Sequence, residues 1–257
     1  MIDWSELADD ITAWISDYAE SNDITTLVIG VSGGIDSAVT STLSAKTGLP
    51  TIVLNMPIHQ DPEQYELSNK HISWLESNFD NVEGRLVDLT RTYDVFNLEM
   101  KEHDLSSLAL ANSRARLRMT TLYAIAGSNG GIVVGTGNKV EDFGVGFFTK
   151  YGDGGVDISP IADLMKSEVY EVAKALDIIE EIQQAAPTDG LWDDGRTDEE
   201  QIGATYAELE WAMMYEENKS EDLTERQRQV LEIYRGFNKA NSHKMNPIPI
   251  FEMNNRR

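Results

Sequence analysis

The sequence predicts a doubly wound α/β fold: a parallel sheet flanked by helices on both faces, with a helical C-terminal part. Short, continuous apolar runs alternate with segments of helical periodicity. The run TLVIGV lacks the polar alternation of a half-exposed sheet, as befits a strand covered on both sides. Two glycine-bearing breaks directly follow apolar runs. Strands joined through helices fold into a parallel sheet, and ligands of such sheets sit beyond the carboxyl ends of strands where the winding reverses.

The elements follow in order. Trp4, Leu7, Ile11, Trp14, Ile15 and Tyr18 recur at helical spacing, so a first helix is expected over 3–20. The run at 26–31 is the first strand, and a helix over 36–46 ends at Gly48 with Pro50 beyond it. A second strand, TIVLNM, stops at Pro57, and the next helix spans 62–78 with Pro62 in its first turn. EGRLVDL reads as the third strand, followed by a short helix over 95–101 and a long one over 106–126. GIVVGT is the fourth strand, and the glycine-rich stretch 144–155 is loop. Helices are then expected over 166–176, 198–216 and 223–240, before an irregular tail, NSHKMNPIPIFEMNNRR.

The long helix carries two apolar stripes. Leu108, Ala111, Ala115, Met119, Leu122 and Ile125 share one face, while Leu110, Leu117 and Ala124 lie opposite. One stripe docks on the sheet; the second calls for a neighbouring helix or a second subunit. Arg114 and Arg118 project together between the stripes, and Arg116 points to the other side.

Composition narrows the function. Net charge is −23, which disfavours nucleic acid as a partner. Residues 112–166 nevertheless hold six Lys and Arg against five Asp and Glu, while the rest of the chain holds 15 against 39. Positive charge is thus concentrated where the motifs lie, as a small anionic substrate requires. Cysteine is absent, which excludes disulfides, thiolate metal sites and cysteine nucleophiles. No apolar run is long enough to span a membrane, and the acidic amphipathic start is unlike a secretory signal. A cytoplasmic enzyme is expected.

The segment VIGVSGGIDSAV runs from a strand through Ser32-Gly33-Gly34 into a helix. Glycines allow backbone amides to approach an anion, and the helix N-terminus favours it. The lysine of the common phosphate loop is missing, and Asp36 stands at the helix start. Ser32 or Asp36 could serve simply as a helix cap. A carboxylate beside phosphates makes chemical sense with a hard cation between them, held by one or two carboxylates and phosphate oxygens. That arrangement stabilises a departing pyrophosphate and leaves the α-phosphorus open, which points to adenylation rather than γ-phosphoryl transfer.

At this point the chain resembles the N-type ATP pyrophosphatases, and further motifs narrow the resemblance to the NAD synthetases. The motifs, in order, are VSGGIDS, VLNMPIHQ, RARLRM, GTGNKVE, FFTKYGDGG, PIADLMKSEV, APTDGLW and NSHKMN. The resemblance implies a Rossmann-like sheet of the adenine nucleotide alpha hydrolase type and a single synthetase domain over 1–257. It implies a ligase that adenylates the nicotinate carboxylate of deamido-NAD with ATP and displaces AMP with ammonia. Gly30, Ser32, Gly33, Gly34, Asp36 and Ser37 match the ATP loop, with Asp36 and Glu141 on Mg²⁺. Thr136, Lys166 and Thr188 match further ATP contacts; Arg116, Lys150, Asp157, His243 and Lys244 match contacts to deamido-NAD. Asp153 resembles the carboxylate that receives ammonium and takes its proton, Lys166 serves as the catalytic cation, and a homodimer is implied.

Two departures stand out. One extra residue lies between Glu141 and the GFFTKYGDGG segment, and GTGNK replaces the GTDH form. Glutamine-dependent relatives carry an amidase domain with a cysteine nucleophile, so this cysteine-free chain is expected to use ammonia. The competing readings are a GMP synthetase module, a tRNA-modifying ligase and a non-catalytic nucleotide sensor.

Overall fold

The structure is a computed structural model that describes residues 2–187, 197–215 and 222–253. Its sheet has four parallel strands in the order β3-β2-β1-β4: β1 Thr26–Gly30, β2 Thr51–Asn55, β3 Val82–Leu86 and β4 Gly131–Val133. The chain winds outward from β1 through β2 to β3, then returns to place β4 on the other side of β1. The reversal therefore lies between β1 and β4. The register sets Val28 beside Ile52 and Val133, and Ile29 beside Val53.

Alternate residues of β1 feed opposite layers. Leu27 and Ile29 pack with Ile15 of α1 (Trp4–Ser21), Val39 and Leu43 of α2 (Ile35–Lys46) and Val169 and Val172 of α6 (Lys166–Ala175). On that same side, Val53 meets Ile72 and Leu75 of α3 (Pro62–Asn78). Val28, Ile52 and Leu54 face Tyr93 of α4 (Thr90–Glu99) and Met119, Leu122 and Ala126 of α5 (Ser107–Ser128). Helices cover both faces, as the continuous apolar strands require. α7 (Glu180–Gln184) was not foreseen. A separate cluster joins α9 (Tyr206–Met214) and α10 (Glu225–Met245) to the segment after β4.

Several boundaries differ from expectation. β3 ends at Leu86, and α4 begins at Thr90, ahead of the expected short helix. The helix expected over 198–216 is two helices, α8 (Asp198–Ile202) and α9. Gly203, at φ +86°, closes α8, and the Thr205 hydroxyl accepts from the Glu208 amide to open α9. The tail is not wholly irregular: α10 continues to Met245 and stops before Pro247. On α5 the buried stripe is Ala111, Ala115, Met119, Leu122 and Ala126, whereas Leu108 is exposed. Leu117 of the second stripe packs partly against the α4–α5 layer.

The buried face of α3 has a consequence for acid stability. His71 has no exposed surface; its Nε2 lies 2.9 Å from the Ser41 hydroxyl and its ring stacks on Trp74. Burial pushes the imidazole down to about 4, outweighing a backbone hydrogen bond to Ala38. Its folded value lies below the unfolded value of about 6.5, so the unfolded chain binds the extra proton between these limits. The stabilisation is complete above pH 6.5 and is lost as pH falls toward 4, by about 3 kcal/mol in all. Urea unfolding of the parent and of His71→Gln at pH 7 and pH 4.5 checks this. The parent is expected to lose more stability on acidification; parallel losses would contradict it.

Candidate active site

The winding reversal opens a crevice between the turn after β1 and the segment after β4. Gly33 holds φ +89°, and a Cβ there would lie 2.7 Å from the Gln64 carbonyl oxygen, so the turn demands glycine. Gly34 is the N-cap of α2 and makes no side-chain cap bond. The Ser37 hydroxyl donates to the Gly34 carbonyl at 2.9 Å and accepts from the Ser32 amide at 3.2 Å, and the Ser32 hydroxyl accepts from the Gly34 amide at 3.2 Å. The turn is thereby held at the N-terminus of a twelve-residue helix, a ready anion cradle.

Asp36, in the first turn of α2, points across the crevice. Lys166 Nζ lies 2.5 Å from its Oδ2 and 3.0 Å from Oε1 of Glu141, with the lysine side chain almost wholly buried. Residues 105 positions apart are thus joined through one ammonium. Asn138 supports both carboxylate-bearing segments. Its Nδ2 donates to Asp36 Oδ1 at 3.3 Å, and its Oδ1 accepts from the Val140 and Glu141 amides. Lys166 opens α6, whose first turn is fixed by Glu210 of α9: that carboxylate accepts from the Ser167 amide and hydroxyl, each at 2.8 Å. The same docking brings Tyr206 beneath the ammonium, 4.8 Å from ring centre to Nζ, with its hydroxyl donating to Glu141 Oε1 at 2.6 Å.

Burial raises Asp36, with the Lys166 ammonium opposing and the neighbouring Glu141 charge assisting. Burial also pushes Glu141 up, but Lys166, Tyr206 and Asn138 together hold it below its ordinary value. Lys166 is raised: burial disfavours its charge, and the two carboxylates more than reverse that. The group is an ammonium between two carboxylates, with one excess negative charge. Burial and the adjacent carboxylates raise the Tyr206 hydroxyl, which stays protonated.

Val140–Val145 forms a π-helical turn, a wider winding than that of the α-helix. Gly144 and Val145, expected as loop, belong to it. The turn directs the Asp142 carboxylate against Gly137, where an added Cβ would fall 2.0 Å from Asp142 Oδ2. Glycine at 137 is therefore required by the position of the Asp142 carboxylate. Desolvation and the charges of Glu141, Asp153 and Asp36 push Asp142 up to about 8.

The remaining sequence-derived residues fall into three places. Gly30 ends β1, packed close to Met56, and Thr136 lies two residues before Asn138 in the crevice wall. Arg116, Lys150, His243 and Lys244 gather at the outer rim. Arg116 Nε donates to the Lys150 carbonyl at 3.2 Å, Lys150 Nζ to the His243 carbonyl at 2.9 Å, and Lys244 Nζ to the carbonyls of Gly146 and Phe148. Asp157 accepts from the Tyr123 hydroxyl at 3.0 Å and from the Val133 amide at 2.7 Å. Asp153 accepts from the Thr149 amide at 3.1 Å. The residue is exposed, yet desolvation by the surrounding protein still pushes its carboxyl up to about 6 against that hydrogen bond. Thr188 lies outside the described residues. Arg118, expected beside Arg114 between the stripes, is turned inward, donating to the Met56 carbonyl and to Gln60.

Sequence reasoning passed over Asn138 and Tyr206. Asn138 stands inside the GTGNKVE motif, so its place was legible although its bonds were not. Tyr206 gave no signal beyond a Thr-x-x-Glu helix start.

A crevice so placed, with a glycine turn and Asp36 on one wall and Glu141 on the other, defines the class first: a nucleotide-binding α/β enzyme. The family follows from comparison. The NAD synthase family model matches residues 7–247. The NH3-dependent NAD(+) synthetase of Carboxydothermus hydrogenoformans is 37% identical over 225 residues, covering 86% of this chain and 89% of that protein. Its counterpart from Finegoldia magna is 37% identical over 241 residues, covering 93% and 97%. The solved NMN synthetase of Francisella tularensis superposes with a TM-score of 0.87 at 33% identity, covering 98% of this chain and all of that one. The chain belongs to the NAD synthase family.

Proposed function

We propose that this protein catalyses the last step of NAD biosynthesis, joining ammonia to deamido-NAD with ATP split to AMP and pyrophosphate. The observation that carries this reading is the convergence of Asp36, Glu141 and Lys166 at the sheet's winding reversal, in a chain of this family. The glycine turn and the α2 N-terminus cradle the phosphates through backbone amides. Asp36 and Glu141 suit Mg²⁺: both present oxygen donors to one shared cationic centre, and a magnesium ion bound with nucleotide needs only one or two protein carboxylates. Bound there, Mg²⁺ supplies charge withdrawal from the departing pyrophosphate.

Lys166 leaves the carboxylates for the phosphates and remains a point charge beside them. The substrate carboxylate attacks the α-phosphorus to give an acyl-adenylate and pyrophosphate, and ammonia then displaces AMP. Asp153, with its carboxyl near 6, is suited to accept a proton from ammonium. Arg116, Lys150, His243 and Lys244 supply the rim that recognises the anionic dinucleotide. The reading includes one synthetase domain, a cytoplasmic location and no nucleic-acid partner, supported by the absence of cysteine and the charge of −23. Among the described residues no helix is long and apolar enough to cross a membrane.

A homodimer belongs to the same reading. Val95 and Leu98 of α4 and Leu108 of α5 are more than half exposed on adjoining helices, a surface suited to a second copy.

Mass detection of products from ATP, deamido-NAD and ammonium tests the function: NAD, AMP and pyrophosphate are expected. Because a solved relative is named an NMN synthetase, the discriminating arm replaces deamido-NAD with nicotinate mononucleotide. Faster amidation of the mononucleotide, or glutamine serving as well as ammonium, would overturn the proposal as stated.

A further inference from the structure

Tyr206 stands among the reacting groups without belonging to any motif that marks them. Its hydroxyl and the Lys166 ammonium donate to the same oxygen, Oε1 of Glu141, at 2.6 and 3.0 Å. The phenol has one proton, and its second acceptor, Asp198 Oδ2, is farther away at 3.3 Å. The shorter contact takes the proton, so Glu141 is the group being oriented.

Tyr206 is itself held firmly. It is 7% exposed, and its amide donates to Glu199 Oε1 at 2.8 Å. The Thr205–Glu208 capping box fixes the start of its helix, and Glu210 ties that helix to the first turn of α6. The hydroxyl is thus presented to Glu141 by a rigid element rather than by a loop.

We infer that Tyr206 is a positioning residue for the divalent cation, keeping the Glu141 carboxylate turned toward Asp36 once the Lys166 ammonium has moved to the phosphates. The inference rests on the metal reading above. In the nucleotide-free arrangement Lys166 and Tyr206 share the task of holding Oε1 of Glu141. When the lysine leaves, the phenol hydroxyl is the donor that keeps Oε1 engaged and the side chain in one rotamer. Groups that hydrogen-bond a metal-ligating carboxylate typically account for about 10- to 100-fold in metal affinity.

The test measures Mn²⁺ affinity with a non-hydrolysable ATP analogue, through the free-ion electron paramagnetic resonance signal, for the parent, Tyr206→Phe and Glu141→Gln. Phenylalanine keeps the ring under Lys166 and removes only the hydroxyl. Tyr206→Phe is expected to bind Mn²⁺ about 10-fold more weakly, with Glu141→Gln weaker still. Steady-state kinetics add a second readout. Excess Mg²⁺ is expected to restore kcat in Tyr206→Phe with the KM for deamido-NAD unchanged, a rescue that a packing defect would not show. Parental Mn²⁺ affinity in Tyr206→Phe beside a weakened Glu141→Gln would overturn the role of Tyr206. Parental affinity in Glu141→Gln would overturn the metal reading itself.

Discussion

Asp36→Asn is expected to lower turnover on the order of 10³-fold or more while leaving the fold in place, because it removes a charge that the proposed reaction uses and the resting protein does not need. Asparagine has nearly the same shape, and its carbonyl can still accept from Asn138, which now donates to Asp36 Oδ1. Lys166 keeps Glu141 as its partner at 3.0 Å and Tyr206 beneath it. The variant also removes the excess negative charge of the buried group, so no large loss of stability is expected. The reaction, by contrast, loses one of two carboxylates available for the cation on the leaving pyrophosphate, and electrostatic stabilisation of that kind is worth several kcal/mol. The measurement is AMP formation at saturating substrates beside a thermal melt. Turnover near that of the parent would show that Asp36 does not serve the metal.

Lys166→Met is expected to damage stability as well as activity. The ammonium lies between Asp36 and Glu141, and its side chain is 4% exposed. Methionine leaves two largely buried carboxylates facing each other. Breaking a buried ion pair from one side typically costs about 3–5 kcal/mol, which for a domain of this size lowers the melting temperature by roughly 10 °C.

The sign of the pH dependence follows from Asp36. Its pKa is already raised by burial and by Glu141, and removing Lys166 raises it further. A carboxyl whose folded pKa exceeds its unfolded value contributes stability that is present at low pH and lost as pH rises. The defect in Lys166→Met is therefore expected to be larger at pH 8 than at pH 5. Magnesium with nucleotide is expected to recover stability by mass action, while turnover stays low because the cation on the phosphates is missing. Differential scanning calorimetry at the two pH values, with and without Mg²⁺ and an ATP analogue, separates these effects. A melting temperature independent of pH would contradict the buried triad.

The fold was legible in the sequence wherever one physical signal dominated. Three apolar runs of strand length and the more polar EGRLVDL, separated by helical-period segments, gave the parallel sheet, and the two glycine-bearing breaks marked the ends of β1 and β4 near Asp36 and Glu141. α3 was expected over 62–78 with Pro62 in its first turn, and the structure caps it with Asp61 and Phe79. Boundaries were missed where two signals competed. Gly203 and the Thr205–Glu208 cap divided what hydrophobic periodicity read as one helix, and the absence of a breaker before Pro247 let α10 run through the supposed tail. The long helix misled for a different reason: Leu108 fits the apolar stripe by angle, but it lies in the first turn, where the helix has not yet reached the sheet layer.

The site divided along similar lines. Residues adjacent to a motif's own turn, such as Asp36, were placed by local order alone. Lys166 and Glu141 were named through resemblance, and their meeting was set by the sheet's winding. Tyr206 was invisible as a partner because its contacts depend on how α9 docks, whereas the bond from Asn138 to Asp36 is set by the sheet's winding. The π turn lies where the sequence was expected to depart from the family spacing, but spacing cannot reveal that this winding brings the Asp142 carboxylate against Gly137.

A divalent cation held by Asp36 and Glu141 at the phosphates of ATP is the centre of the proposed reaction. Crystals grown with Mn²⁺ and a non-hydrolysable ATP analogue, measured for anomalous scattering, address it directly. An anomalous peak bonded to oxygens of both carboxylates and to phosphate oxygens, with the Lys166 ammonium moved onto the phosphates, is the predicted result. Nucleotide bound with the two carboxylates still closed on Lys166, and the metal elsewhere, would contradict it.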